Sequence, residues 1–263
     1  MRFRLTLRRL STPCNIPINY QSYISANIYR LLELADAQYA AFLHDKGYEG
    51  EGKRFKYFTF GQLKIPRGKW QMRESRMLIN APVVHLETSF LVDKTVEKFV
   101  AGVFQDQHLY INDAFAHNDF LIEQIEMLPT VAFGEMMRFS CQSPLIITRK
   151  NKHNKHCTYL APGDALYHEI FIENLRSKHQ TYLSQQLPHN GSNTQIPPQL
   201  EVLNNGKMSS KLITLKPWLK QGIKVKGCLF DFELTAPPEM LKVGFYGGFG
   251  SNCAQGFGMV EVI

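Results

Sequence analysis

Towards its C-terminal end the chain concentrates glycine: Gly244, Gly247, Gly248, Gly250, Gly256 and Gly258 fall within fifteen residues. Glycine at that density signals backbone geometry that other residues resist, either positive φ in tight turns or close approach of the backbone to a ligand. Amides exposed in this way can hold phosphate oxygens. Two familiar phosphate loops are excluded by spacing, because position 253 is Cys, which breaks G-x-G-x-x-G, and no G-x-x-x-x-G-K-[ST] occurs. Both motifs also need a helix after the loop, and only five residues, Met259 to Ile263, follow Gly258, which argues against a mononucleotide-binding fold.

Other residues with chemical potential are more scattered. Lys224 and Lys226 alternate with Ile223 and Val225, so both project from one face of a hairpin strand, to grip phosphates or simply to face solvent. His153 and His156 stand in a basic run with Lys150, Lys152 and Lys155, where only Cys157 could join them as a ligand. The run reads as a solvated basic loop suited to RNA contact, and no metal or cofactor is expected. The five cysteines form no C-x-x-C pair, the usage of reduced thiols in a cytoplasmic protein. Asn190-Gly191-Ser192 matches a glycosylation sequon but reads as a polar loop.

Charge is distributed unevenly. Residues 1–80 carry 14 Lys/Arg against 6 Asp/Glu, whereas residues 81–263 carry 16 against 17, so the formal net charge of +7 comes from the N-terminal part. A basic face of this kind attracts phosphate backbones or anionic surfaces. No apolar run reaches the roughly 18 residues of a membrane span, so no membrane association is expected.

The elements that must position these groups follow from periodicity. Phe3, Leu5 and Leu7 alternate with arginines and Thr6 between Arg2 and Arg9, the pattern of a half-buried strand. Ile24, Ile28, Leu31, Leu32, Ala35, Tyr39, Phe42 and Leu43 form one helical stripe. Extended segments are expected at Phe55–Leu63 and Met77–Leu91 around the turn Pro66-Arg67-Gly68. A second helix is expected after Asp93, then strands at His108–Ile111 and Phe120–Leu128. The order is β-α-β-β-α-β. A similar order follows: strand around Val131–Thr148, helix from Pro162 to about Gln185, strands near Leu200–Leu203 and Lys211–Leu234, a short helix after Pro237-Pro238, and a final strand over Gly256–Ile263. The reading is α+β: two tandem ferredoxin-like (RRM-like) βαββαβ domains, residues 1–130 and 131–263.

With these elements in place, Gly248-Phe249-Gly250, five residues, then Gly256-Phe257-Gly258 resembles the G-h-G-x5-G-h-G signature of the CRISPR-associated repeat-processing endoribonucleases. Ile28-Tyr29-Arg30, Phe42-Leu43-His44, Phe55-Lys56-Tyr57-Phe58-Thr59-Phe60 and Ser143-Pro144-Leu145-Ile146-Ile147 occur in the order that family shows. One departure is that many members carry a lysine or arginine in the x5 segment, whereas Ser251 to Gln255 has none. Phosphate contacts from this loop are then expected from backbone amides and nearby residues.

The resemblance implies a metal-independent endoribonuclease that binds CRISPR precursor RNA and cuts within repeats by 2′-hydroxyl attack, leaving a 2′,3′-cyclic phosphate and a 5′-hydroxyl. It implies His44 as general acid or base, supported by Tyr29 and Lys56, with Lys53 as a second lysine able to reach the same phosphate. Gly248, Gly250, Gly256, Gly258, Lys53, Arg54, Lys224 and Lys226 are the implied RNA-binding residues. The implied partners are precursor RNA, its processed product and subunits of a CRISPR effector complex, for a monomer or homodimer. A non-catalytic repeat-binding subunit of an effector complex is the alternative, and His44 favours the enzyme. One straight helix would hold the Tyr29 and His44 α-carbons about 22 Å apart, too far for one site. A break is therefore expected at Ala35-Asp36, where Asp36 can cap a new helix.

Overall fold

The alternation at the start of the chain forms strand β1 (Arg2–Arg9), which buries Phe3, Leu5 and Leu7 and leaves Arg4, Thr6 and Arg8 partly accessible. A computed structural model describes residues 1–150, 157–185, 196–203, 208–219 and 222–263. The His153 and His156 run and the Asn190 sequon lie outside these described residues.

After β1 come α1 (Gln21–Ala35), α2 (Ala37–Ala41), β2 (Phe58–Phe60), β3 (Val83–Phe90), α3 (Asp93–Gln105) and β4 (Asp119–Met127). The four strands pair antiparallel in the order β2-β3-β1-β4, with His108–Tyr110 added outside β4. Helix α3 crosses α1 closely, and a Cβ on Gly102 would lie 1.9 Å from the Leu31 carbonyl oxygen. Only glycine permits that approach. The sequence continues with β5 (Met136–Cys141), α4 (Tyr167–Ser184), β6 (Gln199–Val202), β7 (Asp231–Thr235), α5 (Pro238–Gly247) and β8 (Val260–Val262). Their order, β6-β7-β5-β8, repeats that of the first sheet, again antiparallel throughout. The chain is thus α+β, two sheet-rich ferredoxin-like domains in tandem, each built on its own apolar core.

Several expected strands are shorter than the apolar runs that announced them. Phe55–Leu63 holds only β2, because Tyr57 adopts φ +53 and ends a separate small hairpin of Tyr48–Gly50 with Lys53–Phe55. Met77–Leu91 divides at Pro82: Arg76–Ile79 joins a satellite sheet with Cys14–Pro17 and Trp70–Arg73, and β3 begins beyond. Lys211–Leu234 divides into Ile223–Leu229, paired with Ser209–Leu215, and β7. Of Gly256–Ile263 only β8 is extended; the glycines before it turn instead. Among the described residues, no helix is long and apolar enough to cross a membrane.

The turn before β8 depends on glycine for two reasons. Gly258 has φ +71, and a Cβ there would meet the Phe249 carbonyl oxygen at 1.8 Å. Gly68 has φ +74 with nothing within 4 Å of its Cβ position. Alanine at Gly68 should therefore cost only the left-handed strain, about 1 kcal/mol, whereas alanine at Gly258 should cost about 4 kcal/mol or more because backbone must move. Urea unfolding of the two variants measures the difference, and equal losses would refute the steric argument.

Candidate active site

The apolar stripe of the first helical region suits one long helix, but Asp36 interrupts it. Its backbone is extended (φ −161, ψ 93), its amide closes α1 on the Leu32 carbonyl at 2.8 Å, and its carboxylate accepts from the Tyr39 amide at 2.9 Å to start α2. Tyr39 anchors the redirected segment, buried with its hydroxyl against that of Thr95. The chain then widens into a π turn, Phe42–Lys46, closed by the Gly47 amide on the Phe42 carbonyl. Gly47 follows with φ +68. Such widened turns redirect side chains that an α-helix would stack in register.

The outcome is a meeting of residues that one straight helix would hold apart. The Tyr29 and His44 rings lie 5.0 Å apart, edge to face, and the other neighbour of Tyr29 is Phe58 at 5.5 Å. Lys56 Nζ donates to the His44 carbonyl at 2.7 Å. His44 is well exposed, and its Nδ1 lies 2.8 Å from Asp45 Oδ1, leaving Nε2 as the nitrogen available for proton transfer. Burial pushes the Tyr29 phenol well above its ordinary range, so it stays a proton donor at neutral pH. Burial, and then the Arg54 charge, lowers the Lys56 ammonium below the ordinary lysine value.

These groups open onto a cleft of about 810 Å³ between the domains, lined on the first by Tyr29, His44, Lys53, Arg54 and Lys56 and on the second by Arg149, Lys178 and the turn Ser251 to Gln255. Lys53 is committed across the cleft, donating to Glu173 Oε1 at 3.0 Å and Ser177 Oγ at 2.9 Å. Arg54 pairs with Glu49 at 2.6 Å. Lys224 and Lys226 are exposed on their hairpin and do not line the cleft.

Of the two uses that the glycine density suggested, the structure shows tight turns at positive φ. Gly248, Gly250, Gly256 and Gly258 are buried, all at positive φ, and the Gly256 and Gly258 amides donate to the Cys253 and Pro144 carbonyls. They shape the loop by steric permission: a Cβ on Gly256 would meet the Phe60 ring at 2.4 Å, and one on Gly250 the Ile146 carbonyl oxygen at 2.4 Å. What the loop presents to the cleft is the Ser251 to Gln255 turn.

One residue passed over in the sequence is Lys178. It is 3% exposed, and its ammonium donates to the Gly248 and Gly250 carbonyls at 2.5 and 2.6 Å and to Cys253 Sγ at 3.1 Å. Its signal was positional: Lys178 continues the buried stripe Tyr167, Phe171, Leu175 of α4, where helical spacing calls for an apolar residue. Among the described residues, no three His, Cys, Asp or Glu gather in a way that could hold a metal ion.

Duplicated ferredoxin-like domains, with a glycine-rich turn of the second facing the cleft between them, define the class of tandem ferredoxin-fold proteins. Residues 15–126 match the family model described as CRISPR-associated protein Cas6, N-terminal, and residues 127–262 the one described as CRISPR associated protein Cas6, C-terminal. The chain belongs to the Cas6 family. It is 26% identical over 247 residues to a CRISPR-associated endoribonuclease Cas6 of Methanocaldococcus jannaschii, covering 93% of this chain and 86% of that one. It is 23% identical to the CRISPR-associated endoribonuclease Cas6 of Pyrococcus furiosus, covering 100% and 90%. The solved structure of a Cas6-related protein from Pyrococcus furiosus superposes with a TM-score of 0.79 at 20% identity, over 100% of this chain and 98% of that one. A RAMP protein described as binding different RNA substrates superposes with a TM-score of 0.77 at 19% identity, over 100% and 99%.

The Asp36 cap carries a pH prediction. Its carboxylate sits below its ordinary value of 3.8, first because of the Tyr39 amide bond and then through the lysines at 98 and 94. A depressed folded value means that the stabilisation is complete above 3.8 and is lost as pH falls through the folded value. Asp36→Ala should lower the unfolding midpoint by several degrees at pH 7, with the difference from the parent shrinking steadily below pH 3.8. A pH-independent difference in thermal melts would remove the carboxylate from the argument.

Proposed function

We propose that this chain binds CRISPR precursor RNA and cleaves within its repeats without a metal, the 2′-hydroxyl attacking the adjacent phosphorus. The observation that carries the reading is the convergence of the Tyr29 ring, His44 and Lys56 at one mouth of the cleft. Relatives named as CRISPR-associated endoribonucleases support the RNA-cleaving class. In the reaction the 2′-OH proton passes to a base as O2′ bonds to phosphorus, the P–O5′ bond breaks, and O5′ takes up a proton. The products are a 2′,3′-cyclic phosphate and a 5′-hydroxyl. His44 has the accessible imidazole for one of these transfers. Tyr29, neutral across the working range, is the donor beside it, and the Lys56 ammonium offsets charge gathering on the phosphorane. Arg54, Arg149 and the Ser251 to Gln255 turn contact the RNA around the scissile phosphate, while Lys224 and Lys226 serve a more distant part of the strand.

In this reading residues 1–130 carry the catalytic groups and residues 131–263 the glycine-rich loop. The enzyme works in the cytoplasm as a monomer or homodimer, handing its processed product to subunits of an effector complex.

Two outcomes are expected. Cleavage of labelled repeat RNA should continue in EDTA and stop when the nucleotide upstream of the scissile phosphate is 2′-deoxy, while binding of that RNA persists. Strict dependence on magnesium would sink the mechanism. Replacing the imidazole by His44→Ala should lower the single-turnover rate by about 10²–10⁴-fold with RNA affinity nearly intact. An unchanged rate would take His44 out of the chemistry, and a parent protein that binds repeat RNA without cutting it would point to the non-catalytic subunit.

A further inference from the structure

Helix α4 delivers a lysine to a place where helices of its kind bury apolar side chains. Lys178 lies one turn beyond Leu175 on the face that packs into the second domain's core. A buried ammonium must spend its donors, and this one spends them on the glycine-rich loop: the Gly248 carbonyl at the end of α5, the Gly250 carbonyl, and the Cys253 sulfur within the following turn. The Phe55 ring lies 6.0 Å from the same nitrogen. The backbone of Lys178 is held as well, its carbonyl accepting from the Tyr57 hydroxyl at 2.8 Å. Helix, first domain and loop are therefore fastened at one residue.

Two facts give this fastening a direction. No described carboxylate forms an ion pair with Lys178, so its charge is balanced only by carbonyl, thiol and ring dipoles. A buried charge lacking a counter-ion is unfavourable, and an anion at the cleft wall would relieve it. The second fact is that Ser251 to Gln255, the part of the loop that faces the cleft, contains no lysine or arginine.

Resting on the RNA-binding reading above, we infer that Lys178 is a positioning residue for RNA binding, whose ammonium stands in for a cation on the loop: it fastens the turn from Gly248 to Cys253 against α4 and makes the cleft wall positive where a phosphate docks. Since Lys178 has no donor left for the phosphate, it acts through the loop's shape and through its field. Fields from buried charges are less screened than those of surface lysines.

The test is RNA affinity as a function of salt, using a fluorescently labelled CRISPR repeat RNA and the full chain. Lys178→Gln keeps hydrogen-bonding capacity and removes the charge. It should weaken binding about tenfold at low salt and flatten the plot of log affinity against log salt by about 0.7 for each phosphate no longer neutralised. The single-turnover rate at saturating RNA should fall by less than about threefold. Lys178→Arg should stay close to the parent in slope, and Lys242→Gln, on an exposed part of α5 outside the cleft, should change neither quantity. A folded Lys178→Gln protein with parental affinity or parental slope would overturn the inference, because a purely structural clamp leaves the slope alone. If Lys178→Gln does not fold, Lys178→Met decides, a flattened slope supporting the field and a parental one refuting it. Failure of both variants to fold would assign Lys178 to the fold alone and overturn the inference. Because the measurement is of binding, a parent protein that binds without cutting defeats the cleavage reading and leaves this one intact.

Discussion

The structure turns on how the backbone carbonyls of the glycine-rich segment are satisfied. That segment runs through the interior between two domains, where every carbonyl needs a donor, and the first domain supplies much of the set. Arg2 donates to the Phe245 and Val260 carbonyls at 2.6 and 2.5 Å and stacks on the Phe245 ring. Ser89 reaches the Tyr246 carbonyl at 3.0 Å, Ser25 the Ala254 carbonyl at 2.8 Å and Thr59 the Phe257 carbonyl at 2.8 Å. Burial lowers the Arg2 guanidinium to about 9, which still leaves it charged at neutral pH. Five donors from three strands and one helix of the first domain thus hold one segment of the second, and the cleft inherits its shape from them.

On the opposite wall the constraint is a change of direction. Asp36 ends one helix and begins another, and the π turn beyond brings His44 back over Tyr29. A regular helix would be the stronger local structure, since its hydrogen bonds are uninterrupted. The interruption is held by tertiary contacts, chiefly Tyr39 buried against Thr95 and Tyr48. The candidate site therefore sits where local preference yields to packing, a common location for functional geometry.

Much of the framework was legible in the sequence for local reasons. The alternation from Phe3 to Leu7 and the stripe from Ile24 to Leu32 depend on side-chain periods that no distant contact alters. The break was expected, against an unbroken stripe, because the resemblance puts Tyr29 and His44 in one site, and Asp36 marked the place because an aspartate can cap the helix that follows it. The strand lengths were not legible, since Phe55 to Phe60 is apolar throughout and only the positive φ of Tyr57 divides it. Within the site, His44, Tyr29 and Lys56 were named from motif order, and the structure brings those three together; it leaves Lys224 and Lys226 on a separate face.

The glycine signature and Lys178 mark the boundary between the two kinds of knowledge. By itself the sequence determined that the backbone between Gly244 and Gly258 either turns or is approached in ways other residues resist, because a missing Cβ is a property of the residue. Only the tertiary structure decided what the turns serve. The Phe60 ring and the Ile146 carbonyl oxygen, which forbid a Cβ at Gly256 and Gly250, and the ammonium that binds the loop from α4 come from distant parts of the chain. Periodicity reports which face of an element is buried; it is silent about which carbonyl lies opposite a buried charge, because that depends on how elements distant in sequence pack.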